Sequence, residues 1–293
     1  MGRYIISKSQ DGLQAIVDTE NNQQISQWWE RINYSGLVNE ESEYYIAENQ
    51  QGLQAIFHKN NPYQPISQWH YRIFSNGLVK GESIAYYIAQ NKEHKFAVFH
   101  KDDPYEPLSN WWEEIRIEHA GVLQQHMPNY YVAKNKKGQW AVFHIDSKEP
   151  ISRWWRNVNI DPLINGKSQY YLAYNKDHKY AIFHVDNPNE PISQWWDHVI
   201  TYAGLLENES QYYIVGEKGK QAIFHINNPD KPISQWWIHI KNGGLVQGQS
   251  DYYIVLTNQA QYAIFHKDNP NESVSQQWKS IQANGLLHGN SSY

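Results

Sequence analysis

The chain repeats itself. "AIFHVDNPNEPISQWW" at 181–196 returns as "AIFHINNPDKPISQWW" at 222–237 and as "AIFHKNNPYQPISQWH" at 55–70. The Phe-His step falls at Phe57, Phe99, Phe143, Phe183, Phe224 and Phe265, with gaps of 42, 44, 40, 41 and 41 residues. Val17 and Asp18 hold the equivalent places one repeat earlier. Paired tyrosines keep the same rhythm, from Tyr44-Tyr45 and Tyr86-Tyr87 through Tyr130-Tyr131, Tyr170-Tyr171, Tyr212-Tyr213 and Tyr252-Tyr253. The consensus YYIAxNxxxxxAIFHxDNPxxPISQWWxxIxxxGLVxGxS divides the sequence into seven repeats: 1–42, 43–84, 85–128, 129–168, 169–210, 211–250 and 251–293. They make one repeat domain over 1–293 and leave no separate catalytic domain. A module this short cannot bury its own aromatics, so neighbours must stack.

Within a repeat, "YYIAQN" and "KFAVFH" (86–100) are short apolar runs with a polar break, which reads as a β-hairpin. Its turn is glycine-assisted at Gly52, Gly138 and Gly219. "DNPNEP" then supplies Asx and Pro residues that fix a loop. In "ISQWWDHVITYAGLL" the period changes: Ser193 is placed as a helix N-cap, Trp195 and Trp196 share a helical face with Val199, and Gly204 fits a left-handed C-cap with Leu205 behind it. The same start and stop recur at Ser26/Gly36, Ser67/Gly77, Ser109/Gly121, Ser234/Gly244 and Ser275/Gly285, and Pro162 breaks the pattern in the fourth repeat. The preferred reading is a helix of two to three turns, and a bent strand is its rival. The fold class expected is therefore a mainly β repeat protein with one short helix per repeat.

The repeats can close into a propeller-like ring or run on as an open α/β solenoid. A solenoid needs polar caps, yet the first repeat carries "AIV" and "ISQWW" and the last "YYIV", "AIF" and "GLL". Tyr293 reads in phase with Tyr44, and Tyr4 with Tyr45, so the last repeat could complete the first. A seven-bladed ring, which removes exposed sheet edges, is the first choice.

The stretch "NKDHKYAIFHVDNPNEPISQWWDHVITYAGLL" (175–206) resembles the bacterial WG repeat. Tyr180-Ala181-Ile182-Phe183-His184 takes the place of that repeat's W-G-x-I-D text, Trp196 and Val199 that of its Tyr and Ile, and Gly204-Leu205 that of its Gly-Leu. Here the Gly after the aromatic is Ala, and the "DGK" turn is "DNP". The resemblance spans every repeat and implies an interaction module without known chemistry.

Composition narrows the function. With 40% hydrophobic and 19% charged residues the chain is a packed protein, and it holds 13 Trp and 22 Tyr. A net charge of -5 without a basic block argues against nucleic acid and anionic membranes. There is no cysteine, which removes disulfides, thiolate metal sites and cysteine nucleophiles and fits a reducing cytoplasm. "MGRYIISKSQ" is too polar for a signal peptide, and no apolar run reaches membrane-spanning length.

The register-locked histidines are His58, His100, His144, His184, His225 and His266. A hydrogen bond tying strand end to loop or capping serine is the first reading of them, and ligand binding along a pore or rim the second. Metal ligation is the remotest: one His per repeat spreads ligands apart, and no H-E-x-x-H motif occurs. Neither a metal nor a cofactor is expected. Trp29, Trp112, Trp155, Trp196, Trp237 and Trp278, the second of each tryptophan pair, are assigned to the structural core. His70 replaces that second Trp in one repeat and Gln277 the first in the last, while Trp140 belongs to hairpin packing. Glu113-Glu114 and Glu40-Glu41 are solvated surface, and no G-x-S-x-G elbow or phosphate-binding glycine loop occurs. No catalytic residue is assigned.

These observations point to a non-enzymatic scaffold that binds a protein partner through loops on one rim, where the hairpin turns "NQQG", "NKEH", "NKKG", "NKDH", "GEKG" and "TNQA" vary. A multivalent carbohydrate-binding lectin is the alternative, with glycans as ligands. An enzyme with a site at the ring centre is the weakest reading.

Overall fold

A computed structural model describes residues 3–81, 83, 85–116, 130–161, 168–199, 204–241, 243–281 and 287. The chain forms two compact bodies, Met1–Ile151 and Ser152–Tyr293, and each is described by itself. The described residues build seven three-stranded antiparallel sheets. In the first body these are β1 (Tyr4–Lys8), β2 (Gln14–Asp18) and β3 (Gln23–Gln24); β4 (Arg31–Asn33), β5 (Tyr44–Glu48) and β6 (Gln54–His58); β7 (Arg72–Ile73), β8 (Tyr86–Gln90) and β9 (Phe96–His100); and β10 (Glu114–Ile115), β11 (Tyr130–Lys134) and β12 (Trp140–His144). The second body holds β13 (Asn157–Asn159), β14 (Tyr170–Tyr174) and β15 (Tyr180–His184); β16 (His198–Val199), β17 (Tyr212–Glu217) and β18 (Lys220–His225); and β19 (His239–Ile240), β20 (Tyr252–Leu256) and β21 (Tyr262–His266).

The expected hairpins are present in register. Tyr171 faces Phe183 and Tyr170 faces His184, and Tyr45–Phe57 and Tyr87–Phe99 pair in the same way. Each second tyrosine stacks on its phenylalanine, as in Tyr45–Phe57 at 5.6 Å and 15°. The pairing also corrects the phase of the first repeat. Tyr4 lies opposite Asp18 as Tyr44 lies opposite His58, so Tyr4 matches Tyr44 and not Tyr45. The first repeat has a single tyrosine, which removed the landmark needed to fix the phase. Tyr293 lies outside the described residues.

Among the described residues the helix expected in every repeat is not formed. Among the described residues the helical elements are single turns, α1 (Ser35–Val38) and a 3-10 turn at Gly204–Glu207. The "ISQWWDHV" text is the bent strand of the rival reading. It first runs along the outer edge of its own hairpin. Ile192 N–H donates to Ile182 at 2.8 Å, and Trp196 and Tyr180 exchange N–H···O bonds of 2.8 Å each. The chain bends at Asp197. It then becomes β16 and pairs with β17 of the following hairpin, Val199 against Val215. Buried positions at Ser193, Trp196 and Val199 have the three-residue spacing of a helix, but the bend produces it. A helix here would leave two hairpin edges unpaired, and an extended segment satisfies both.

The repeat serines are therefore not helix caps. Ser193 Oγ accepts the buried N–H of Ile182 at 3.0 Å and donates to the Gln194 carbonyl at 2.9 Å. Ser26, Ser67, Ser109, Ser234 and Ser275 do the same for Ile16, Ile56, Val98, Ile223 and Ile264. A side chain thus stands in for a ladder carbonyl, and the trailing segment acts as a fourth strand.

The glycines of the "GLV" text meet a different need from the one expected. Gly204 has φ +67, and a Cβ there would lie 1.9 Å from the Tyr212 carbonyl oxygen and 2.5 Å from that of Val246, one repeat later. A Cβ at Gly36 would likewise lie 2.1 Å from the Val79 carbonyl oxygen. Successive Gly-Leu segments nest against one another, and a side chain at the glycine would hold them apart. Gly121, Pro162 and Gly285 lie outside the described residues.

Within each body successive sheets stack face to face. Leu172 and Ile182 of one sheet pack on Tyr213, Val215, Ala222 and Phe224 of the next, with Trp196 and Val199 between them. Ile214 and Ile223 repeat the arrangement against Tyr253, Val255, Ala263 and Phe265. In the first body Ile46 and Ile56 face Tyr87, Ala89, Ala97 and Phe99. Because both faces of a sheet are covered, three consecutive residues of a strand are buried, as in Tyr45-Ile46-Ala47.

Candidate binding cleft beside the hairpin turns

The two ends of the hairpins carry different chemistry. At one end lie the register-locked histidines. His58, His100, His144, His184, His225 and His266 each accept, through Nδ1, the backbone N–H two residues ahead, at 3.1 to 3.3 Å. Each ring also meets the first tyrosine of its pair edge-on, as Tyr170–His184 does at 5.0 Å. The histidines thus fasten the strand end to the Asn-Pro loop. His58 Nε2 further contacts Glu43 at 3.1 Å. His100 borders a pocket of about 290 Å³ together with Tyr86, Asp103 and Asp146. Among the described residues no group of three His, Cys, Asp or Glu side chains is placed to hold a metal ion.

At the other end four of the hairpin turns share one frame. Asn49 Oδ1 accepts the N–H groups of Gln51 and Leu53 at 2.9 and 3.0 Å, and Asn91, Asn135 and Asn175 repeat both bonds in their own turns. A left-handed residue closes each turn: Gly52, His94, Gly138 and His178. The asparagine fixes the backbone, so the residues it spans are free to vary.

The tryptophan segment of one sheet and the hairpin turn of the next enclose a cleft. In the first body one such cleft, of about 360 Å³, is lined by Trp28, Trp29, Glu30, Asn49 and Gln50. Its repeat equivalent, of about 400 Å³, is lined by Trp69, His70, Tyr71, Asn91, Lys92, Tyr105 and Trp111, among others. Tyr105 and Tyr63 stand at equivalent loop positions and are 79% and 80% exposed. Gln68 Nε2 donates to the carbonyls of Pro104 and Tyr105 at 3.2 and 2.9 Å, which ties the tyrosine loop to the repeat before it.

The second tryptophans sit where consecutive sheets meet. Trp196 and Trp237 are buried, and Trp29, Trp112 and Trp155 are half-buried. Each lies about 5 Å from the phenylalanine of the next sheet, for example Trp196–Phe224 at 5.0 Å. Trp278 is 50% exposed. His70, in the same place, is 7% exposed and packs on Phe99 at 4.9 Å. Burial holds its pKa down at about 4, so the imidazole is neutral at pH 7. Burial likewise raises the pKa of the second tyrosines Tyr45, Tyr87, Tyr131, Tyr171, Tyr213 and Tyr253, and these phenols stay protonated. The exposed aromatic cluster was not predicted from sequence. The Tyr in "NPYQP" and "DPYEP", found in two repeats where the others vary, was the available signal.

No family model matches the chain. No curated protein matches it. Solved structures similar to it include Hsv2 of Kluyveromyces lactis, at 12% identity over 92% of this chain and 88% of that one, with a TM-score of 0.33. The C-terminal WD40 domain of Sif2 matches at 11% identity over 94% and 82%, with a TM-score of 0.33. A eukaryotic initiation factor matches at 12% identity over 94% and 73%, with a TM-score of 0.40. Likenesses at this level say nothing about the function of the chain, whose fold is described by its own sheets: mainly β, with seven three-stranded antiparallel sheets among the described residues.

Proposed function

We propose that this chain is a non-enzymatic scaffold that binds another protein through the hairpin turns and the clefts beside them. The observation that carries this reading is the clustering of exposed large aromatics in the first three repeats. Trp28, Tyr63, Trp69, Tyr71 and Tyr105 are all exposed, and Trp28, Trp69, Tyr71 and Tyr105 line the two clefts. Grouped exposed apolar rings on a rigid framework mark interaction surfaces. The test is chemical cross-linking of the purified chain in an extract of its source organism, followed by mass spectrometry. Cross-links to one protein, concentrated at Lys92 and the neighbouring turns, are expected. Cross-links spread evenly over the surface would overturn the reading.

The lectin alternative draws support from the same exposed indoles, since pyranose faces stack on aromatic rings. A glycan array separates the two readings. The fold reading includes closure of the seven repeats into a propeller-like ring. Supporting it are the face-to-face stacking within each body and an edge of β1 that has no partner strand among the described residues. Small-angle scattering tests closure: a ring gives a compact disc-like distance distribution, and a long tail would exclude it.

A further inference from the structure

The cleft between the second and third sheets of the first body differs from its repeat equivalent in ways that define an occupant. Where the other cleft has Trp29, Glu30 and Gln50, this one has His70, Tyr71 and Lys92. His70 Nε2 is buried and has no hydrogen-bond partner among the described residues. Trp69, Tyr71 and Tyr105 are 37%, 47% and 79% exposed, so ring faces make up much of the accessible wall.

The charge of the lining is one-sided. Asn91 Oδ1 already accepts two backbone N–H groups, at 3.0 Å each, which leaves its Nδ2 as a free donor. Lys92 is the one formally charged residue of the lining, and no ion pair of its side chain occurs among the described residues. A suitable ligand therefore presents flat apolar faces, a carbonyl acceptor for the Asn91 amide N–H and a negative charge beside Lys92. A polyproline II segment has this pattern: it lacks N–H groups at each proline, exposes its carbonyls and packs pyrrolidine rings against aromatics. A neutral sugar brings no negative charge to meet Lys92.

We propose that this cleft binds a proline-rich segment of the partner protein, with an acidic residue beside the prolines facing Lys92. The proposal rests on the protein-binding reading above. The adjoining cleft, with Glu30 and without the lysine, is the internal control.

The test is a tryptophan-fluorescence titration of the full chain with two synthetic peptides, an uncharged decaproline and the same peptide ending in Asp-Glu. Saturable binding of both is expected, tighter for the acidic one. Tyr105→Ala and Trp69→Ala should weaken both about tenfold, the usual scale for an aromatic anchor. Lys92→Glu should abolish the preference for the acidic peptide and leave decaproline binding unchanged. Tyr105 and Lys92 lie at the surface, so these variants keep the fold, and a thermal melt checks Trp69→Ala. Absence of saturable binding to the native chain, or variants that bind as the native chain does, would overturn the proposal. Saturation by cellohexaose or chitohexaose instead of the peptides would also overturn it. Cross-linking to a protein partner that survives Tyr105→Ala and Lys92→Glu would sink the cleft assignment while leaving the scaffold reading intact.

Discussion

Ser193 shows how one hydroxyl can decide the fate of a segment. Its Oγ occupies the position of a ladder acceptor for Ile182, in a buried setting. Ser193→Ala should therefore destabilise the protein by about 1–3 kcal/mol, the cost of stranding a buried N–H. A urea titration would measure it, and Ser193→Thr, which keeps the oxygen, should recover part of the loss. His70 gives a pH signature. Its pKa is about 4 in the folded chain against an ordinary value of 6.5. Above pH 6.5 both states are neutral and the group has no effect. As pH falls from 6.5 towards 4 the unfolded chain takes up the proton first, so stability is lost across that window. Between pH 7 and 5 the native chain should lose about 2 kcal/mol more than His70→Phe, as compared by denaturant midpoints at the two pH values.

At the scale of the element, the hairpins were legible and the segment after them was not. Tyr-Tyr opposite Phe-His alternates with the strand period, and the asparagine turns announce themselves. The "ISQWW" text misled because a bend and a helix give the same burial spacing at Ser193, Trp196 and Val199. Propensity favoured neither, since serine, tryptophan and valine suit both a capped helix and a strand. What decided the matter was an unpaired edge on the following hairpin, where Val199 meets Val215, a context that no local pattern carries. The histidine and tryptophan positions were readable by their periodicity, whereas the cleft formed by Trp69, Tyr71 and Tyr105 depends on loops and turns meeting across repeats. Two substitutions test this level. Trp196→Ala removes an indole packed between sheets and should cost about 3–5 kcal/mol in a chemical melt. Gly204→Ala forces a Cβ onto two carbonyl oxygens and should lower the melting temperature markedly, whereas Gly52→Ala, with open space around its Cβ, should cost only its strained φ of +74.

Across the whole molecule, each sheet leans on its neighbours through shared cores, so stability within a body is a sum of nearest-neighbour terms. Amide exchange should be slowest at Ile182, Ile223 and Ile56, whose N–H groups bond to buried serines, and fastest in the turns around Lys136 and Asp177. Hydrogen-exchange mass spectrometry would rank them, and equal protection throughout would contradict the layered packing. The strand that leaves one hairpin for the next at Asp197 has a further consequence. Every junction in a body is made by the same hand-over, so the number of modules can change by whole copies without inventing a new kind of joint. Duplication or loss of a module would add or remove one sheet and move the aromatic clefts by one step. The reach of the binding face would thereby become a quantity that recombination can adjust while each cleft keeps its own chemistry.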